Sequence, residues 1–429
     1  MAVRVAGVAL VVALAGLLAL RIYGDRRLAA AKRAFAAKAG QGAGNPYASP
    51  IVPDRENAAI LLRAGAEAMV ITGNERAQAG EMTMTPVEAW TPEQRDFLHR
   101  YLESNGPALE LLHRAAAMTR SSFGLRDPVN EVEELRVRLP LLKLLTAQRL
   151  LLLDARTALL TDNRERFLAD ARSMATMAVA IERESPTIAV IIGLAAEKIF
   201  LTAASEATAR PDAPVETVRS LQALVPDNDL RAVWRRTVET DAFAIDRRVA
   251  AGHARPGMAA EEGSGWRASL LQLCCGDIFN AQVWKLRAEL LDVVDQPLGS
   301  SPAWADRGKA SPRSIFPVFE LVMFPELARA GGRVESTMSL RNLGNVALKV
   351  RLRGLETGAY PQTLADYPEA QRADPFAARP LSYLRRPDGS AVIAVADFGL
   401  LWSRISDAGV RGQPFTWELP APGKAVAKQ

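Results

Sequence analysis

Residues 161–190 read TDNRERFLADARSMATMAVAIERESPTIAV. Two helix starts lie in this stretch, and the short interval between them decides the fold class. Asp162 and Glu165 place acidic side chains where a helix N-terminus favours negative charge. Phe167, Ala171, Met174, Ala178 and Ile181 then recur at alternating spacings of four and three, which aligns them on one face of a helix. Ser185 reads as the N-cap of a further helix with Pro186 at its first position, where a missing N–H costs nothing. Two rods joined by so few residues must be antiparallel neighbours.

The same pattern extends in both directions. LLKLLTAQRLLLLDARTALL precedes the stretch and IIGLAAEKIFLTAASEA follows it, giving three helices with short connections. This predicts a mainly α chain, an irregular antiparallel helical bundle in which tetratricopeptide-like hairpins are possible, although no signature recurs at about 34 residues. Upstream, Asp54 is a candidate N-cap for DRENAAILLRAGAEAMVI, and Thr91, Pro92 and Gln94 form a capping box. Glu131, Glu133 and Glu134 favour a helix dipole rather than acid and base catalysis. Downstream, VPDNDLRAVWRRTVETDAFAIDRRVAAG and FNAQVWKLRAELLDVVDQ are helical, while 253–278 and LGSSPAWADRGKASPRS read as loops. The segment 188–204 is apolar enough for a membrane span, but Glu197 and Lys198 in its middle favour a buried core helix.

Residues 5–20 carry no charged or polar side chain, and the apolar run extends to Tyr23 if Arg21 snorkels. About 20 residues cross a bilayer, so a membrane anchor is predicted over 1–30, followed by a linker over 31–53. Arg21, Arg26, Arg27, Lys32 and Arg33 follow the run, yet a very short head ahead of it is usually exported with what comes after. The expectation is a single-pass protein of the inner membrane with a periplasmic body, and the membrane itself, met through residues 5–23, as one partner.

Lys and Arg (53) nearly balance Asp and Glu (48) for a net charge of +5, and no basic tract is interleaved with aromatics. A nucleic-acid partner is therefore not expected. Cys274 and Cys275 are adjacent and cannot form a zinc site alone. His99, His113 and His253 fall on separate elements, so no convergent metal or triad is expected, and no phosphate-binding, nucleophile-elbow or zinc-protease motif appears. No cofactor is implied. Trp234, Trp266, Trp284 and Trp304, with Phe243 and Phe279, crowd one region; they serve either as core or as a possible partner groove.

The C-terminal part changes character. A helix over 335–356 presents Leu340, Leu343, Ala347 and Val350 on one face and stops at Gly358. LSYLRR and SAVIAV flank Pro387, Asp388 and Gly389, a β-hairpin signal, and FTWEL supplies a third strand. The order of a long helix, GAYPQTLADY and DPFAARPLSYLRR resembles the globular part of type II secretion pseudopilins. With VPDRENAAILLRAGAEAM near the start, the chain also resembles a group of uncharacterised bacterial membrane-anchored proteins. The resemblance implies a helical domain over 54–330, a pseudopilin-like α+β module over 331–420 and a flexible tail over 421–429. Polymerisation is not expected, because no prepilin signal precedes Val5 and roughly 300 residues separate the apolar run from the module. Asp397 and Asp407 are too few for a calcium cage. The functional expectation is an envelope protein that binds or scaffolds a partner protein. The alternatives are a secretion-associated component and an enzyme whose site is assembled from scattered residues.

Overall fold

The structure is a computed structural model that describes residues 2–39, 46–250, 266–295, 317–375, 379–395 and 415–422. Its helices are α1 (Ala2–Lys38), α2 (Ala58–Ala68), α3 (Gly73–Met84), α4 (Pro92–Ser104), α5 (Gly106–Ala116), α6 (Glu131–Val137), α7 (Leu141–Leu160), α8 (Arg164–Glu182), α9 (Thr187–Thr208), α10 (Val215–Leu224), α11 (Leu230–Ala250), α12 (Trp266–Asp295), α13 (Pro317–Thr357) and α14 (Glu369–Arg372). A small antiparallel sheet completes the C-terminal part, so the chain is mainly α with a small β module.

The α7–α8–α9 unit forms as its spacing predicts. Phe167, Ala171, Met174, Ala178 and Ile181 are all buried, and the larger of them contribute about 1.5–3 kcal/mol each by leaving water. The cap of α8 is Asn163, whose side chain accepts from Arg166 N, while Asp162 turns the chain with φ of 52°. Among the described residues, α9 is the helix long and apolar enough to cross a membrane by length and composition. More than half of that stretch is buried among α7, α8, α11 and α13.

Buried charge sets how α13 meets this unit. Arg341 on α13 donates Nε to Glu197 Oε1 at 2.7 Å, Nη2 to Glu197 Oε2 at 2.6 Å and Nη1 to Asn228 O at 2.6 Å. Glu182 on α8 lies 3.5 Å from Nη2 and accepts from Asn228 Nδ2 at 3.1 Å. The two glutamates can approach because residue 193 is glycine: a Cβ there would stand 2.8 Å from Glu182 N. Burial, with Glu197 adding to it, pushes the Glu182 carboxyl well above the usual carboxylate range, against the opposing pull of Arg341.

The sheet closes the other side of α13. Strands β3 (Ser382–Arg385), β4 (Ala391–Ala394) and β5 (Thr416–Leu419) run antiparallel in that order, with Tyr383, Ile393 and Trp417 in register. Strands β1 (Ala373–Asp374) and β2 (Arg379–Pro380) form a second, two-stranded ladder. Gly389 supplies the left-handed φ of 86° that the hairpin turn needs, and Asp388 accepts from Ser390 N. Trp417 is fully buried, donates Nε1 to Thr208 Oγ1 at 2.8 Å on α9, and packs over Gly344 of α13. Module and bundle thus share one hydrophobic core, and the expected boundary at 330/331 falls inside α13.

Several boundaries differ from the sequence reading. The cap of α2 is Asn57, not Asp54, because Asn57 both accepts from Ala59 N and donates to Ser122 O. α12 begins at Trp266 rather than after 278; the helix formers of WRASLLQL outweigh one interior glycine, worth about 1 kcal/mol. α13 is continuous from Pro317 through Pro325. The stretch 31–53 starts within α1 and ends docked on the body, where Ser49 N donates to Leu125 O at 2.9 Å. Asp397, Asp407 and residues 423–429 lie outside the described residues.

Arg351 is the tie between bundle and module. Fully buried, it donates Nη1 to Tyr360 Oη at 2.7 Å and Pro420 O at 3.0 Å, and Nη2 to Arg210 O at 2.9 Å and Pro211 O at 3.2 Å. Arg351→Met should lower stability by about 3 kcal/mol or more, and Arg351→Lys should not restore it, since one ammonium cannot serve both sides of the fork; thermal unfolding of the two variants checks this. Glu182 gives a pH-dependent outcome. Because its folded pKa is raised, the stability it contributes is present below the unfolded glutamate value and falls as pH rises through the folded one. Glu182→Gln should therefore unfold later than the native protein at pH 8, with the difference closing towards pH 4.5. Glu197→Gln should cost about 3 kcal/mol by leaving Arg341 unpaired.

Candidate functional site

Asp154 on α7 and Asp170 on α8 each stand eight residues from Asp162 at the turn between the helices. In an antiparallel helical hairpin, positions equidistant from the turn come level. The two carboxyls therefore meet inside the bundle, both with side chains almost wholly buried. Arg166, one turn before Asp170, reaches back to Asp154, donating Nε to Oδ2 at 3.0 Å and Nη2 to Oδ1. The third partner comes from α5. Its apolar face, with Ala108, Leu109, Leu112 and Ala115 buried, seats the helix on α8 and brings His113 Nε2 to 2.7 Å from Asp170 Oδ1.

Burial pushes the Asp170 carboxyl well above the usual range, and the neighbouring Asp154 charge pushes it further. Burial also draws the His113 imidazole below its ordinary value, Asp154 opposing and Arg166 adding to the shift. Both directions make the His113–Asp170 contact a hydrogen bond within a neutral pair rather than an ion pair. Asp170 Oδ2 has no hydrogen-bond partner. One nitrogen and several carboxyl oxygens converge here, a set able to hold a proton or a cation.

Arg166 also lines a cavity of about 370 Å³. Trp90, Leu98, Leu102, Leu109 and Leu160 supply its apolar walls, and Arg95, His99 and Glu103 its polar groups. The shape is that of a small-molecule site: largely apolar, with a few charged groups at fixed points. A second buried carboxylate, Glu184, is structural. It accepts from Phe123 N at 3.0 Å and from Ser49 Oγ, clamping two loop segments onto the end of α8.

The structure disperses the tryptophans. Trp234 is buried in a second apolar cluster formed by α1, α9, α11, α12 and α13. Trp284 packs against that cluster, its ring edge-on to Phe35 at 5.0 Å. Trp266 is the first residue of α12, and its side chain, like Trp304 and His253, lies outside the described residues. Of the histidines, His99 borders the cavity and His113 enters the carboxyl pair. The symmetry of 154 and 170 about the turn could have flagged the acidic pair. Nothing in the sequence ties His113 to them, 57 residues from Asp170.

With three histidines in the chain, selective labelling gives three imidazole signals, and substitution assigns them. His113 should titrate below about 6.5, the ordinary histidine value, and Arg166→Gln should raise its midpoint by removing a repelling cation; an NMR pH titration reads both. Comparison of the chain with family models, curated proteins and solved structures finds no match.

Proposed function

We propose that the chain is a single-pass envelope protein, held in the inner membrane by residues 5–23 with its body on the periplasmic side, and that it acts by binding or scaffolding. The observation that carries this reading is the exposure of Leu18, Leu20, Ile22 and Tyr23 on α1, with Leu18 at 60%. Positions 18, 20 and 22 point in well-separated directions around a helix, so the exposed apolar surface is not one stripe awaiting a partner helix. A helix apolar all round suits lipid. The uncharged run 5–20 continues it.

From Gly24 onward the same helix is docked. A Cβ at position 24 would stand 3.2 Å from Ile278 Cγ1, Phe35 is buried against Trp284, and Lys38 donates to Ala288 O at 3.3 Å. Lys32 pairs with Asp246, and Arg235 donates to Lys38 O. The body would therefore be carried as a rigid extension of the span.

Two further readings have their own support. A pseudopilin-like role in secretion is supported by the order of a helix ending at Gly358, a buried Tyr360, Asp374 and a three-stranded antiparallel sheet. An enzyme is supported by the His113, Asp154 and Asp170 set beside a cavity.

Val12→Glu with Leu17→Glu in the full chain should move the protein from carbonate-washed membranes to the supernatant, while the native chain stays with the membrane. A reporter active only outside the cytoplasm, fused after Gln429, should be active; a silent but well-expressed fusion would reverse the assigned side.

A further inference from the structure

The geometry points to a divalent transition-metal site formed by His113 Nε2 and one oxygen each of Asp154 and Asp170. The three donor atoms lie within 4.8 Å of one another and come from three helices, α5, α7 and α8. Around an ion bound at about 2.0–2.2 Å, donor atoms stand about 3.3 Å apart, so side-chain adjustments of an ångström or so close the shell. A second observation points to an occupant. Asp170 is wholly buried, and its Oδ2 has no hydrogen-bond partner, although an unpaired buried carboxyl oxygen is costly.

The donor set narrows the class of ion. One imidazole and two carboxylates suit zinc or manganese better than calcium, which takes six to eight oxygens, or copper(I), which takes sulfur. Two carboxylates and the Arg166 guanidinium leave one net negative charge in the site, which a divalent ion overcompensates by only one unit. Arg166 is the competitor. It occupies both oxygens of Asp154, but its side chain is 42% exposed and borders the cavity, so it can swing outward. The cavity is then the route of entry and supplies water to the remaining coordination positions.

The test uses the full chain in detergent, stripped with a chelator and given Zn²⁺, Mn²⁺ or Co²⁺ alone. The native protein should take up one equivalent, with Co²⁺ developing a visible absorption band. Asp170→Asn and His113→Gln should each weaken uptake at least about 100-fold, and Arg166→Gln should tighten it about 10-fold by removing a like charge. Circular dichroism checks that each variant is folded; if Asp170→Asn is not, His113→Gln, at a half-exposed edge of the core, decides alone. Absence of one-equivalent uptake, or uptake equal in the native and ligand-substituted chains, overturns the proposal and leaves a proton shared between two carboxyls as the occupant.

Discussion

Placing a guanidinium between two buried glutamates is the constraint on which the arrangement of the bundle rests. Desolvating three such groups costs several kcal/mol each, and their attraction offsets this only when the remaining donors and acceptors are satisfied. Arg341 meets that condition through Glu197 and Asn228 O, and Glu182 meets it in part through Asn228 Nδ2. Glu182 Oε1 has no hydrogen-bond partner, and the raised pKa of that carboxyl places a proton where a second cation would otherwise be needed. Apolar faces tolerate sliding, because one leucine contact resembles the next. A fork of three directed bonds does not, so α13 has one register against α8 and α9.

What could be read beforehand was whatever depends on neighbours in sequence. The apolar face from Phe167 to Ile181, the Thr91 and Gln94 capping box, the stop at Gly358 and the hairpin at Gly389 each follow from side chains a few residues apart. Element ends were less legible where a tertiary bond decides them. Asn57 outcompetes Asp54 as a cap because Ser122 lies within reach, and that contact spans 65 residues.

The candidate site was half legible for the same reason. Asp154 and Asp170 belong to one hairpin, and their meeting follows from where the turn lies. His113 joins them only because the small faces of α5 and α8 fit, which no spacing encodes. Likewise Arg351 looks like one more basic residue on an arginine-rich helix. Its burial follows from the carbonyls of Arg210 and Pro211 on one side and Pro420 on the other, three places far apart in the chain.

The charged trio also explains why two apolar clusters coexist in one fold. Val190, Leu194 and Val334 belong to the cluster that holds Phe35 of α1. Phe200, Leu201, Leu340 and Leu343 belong to the cluster that holds Trp417 of the sheet. Glu197 falls between Leu194 and Phe200 on α9, and Arg341 between Val334 and Leu343 on α13, so the ion pair stands where the two clusters meet. Both helices therefore contribute to each cluster, and neither can shift in one without straining directed bonds at the junction. A force on α1 passes through Phe35 and Trp284 into the first cluster, and the route onward to the sheet crosses Glu197 and Arg341. The fold joins its N-terminal helix to its C-terminal sheet through its least deformable contact.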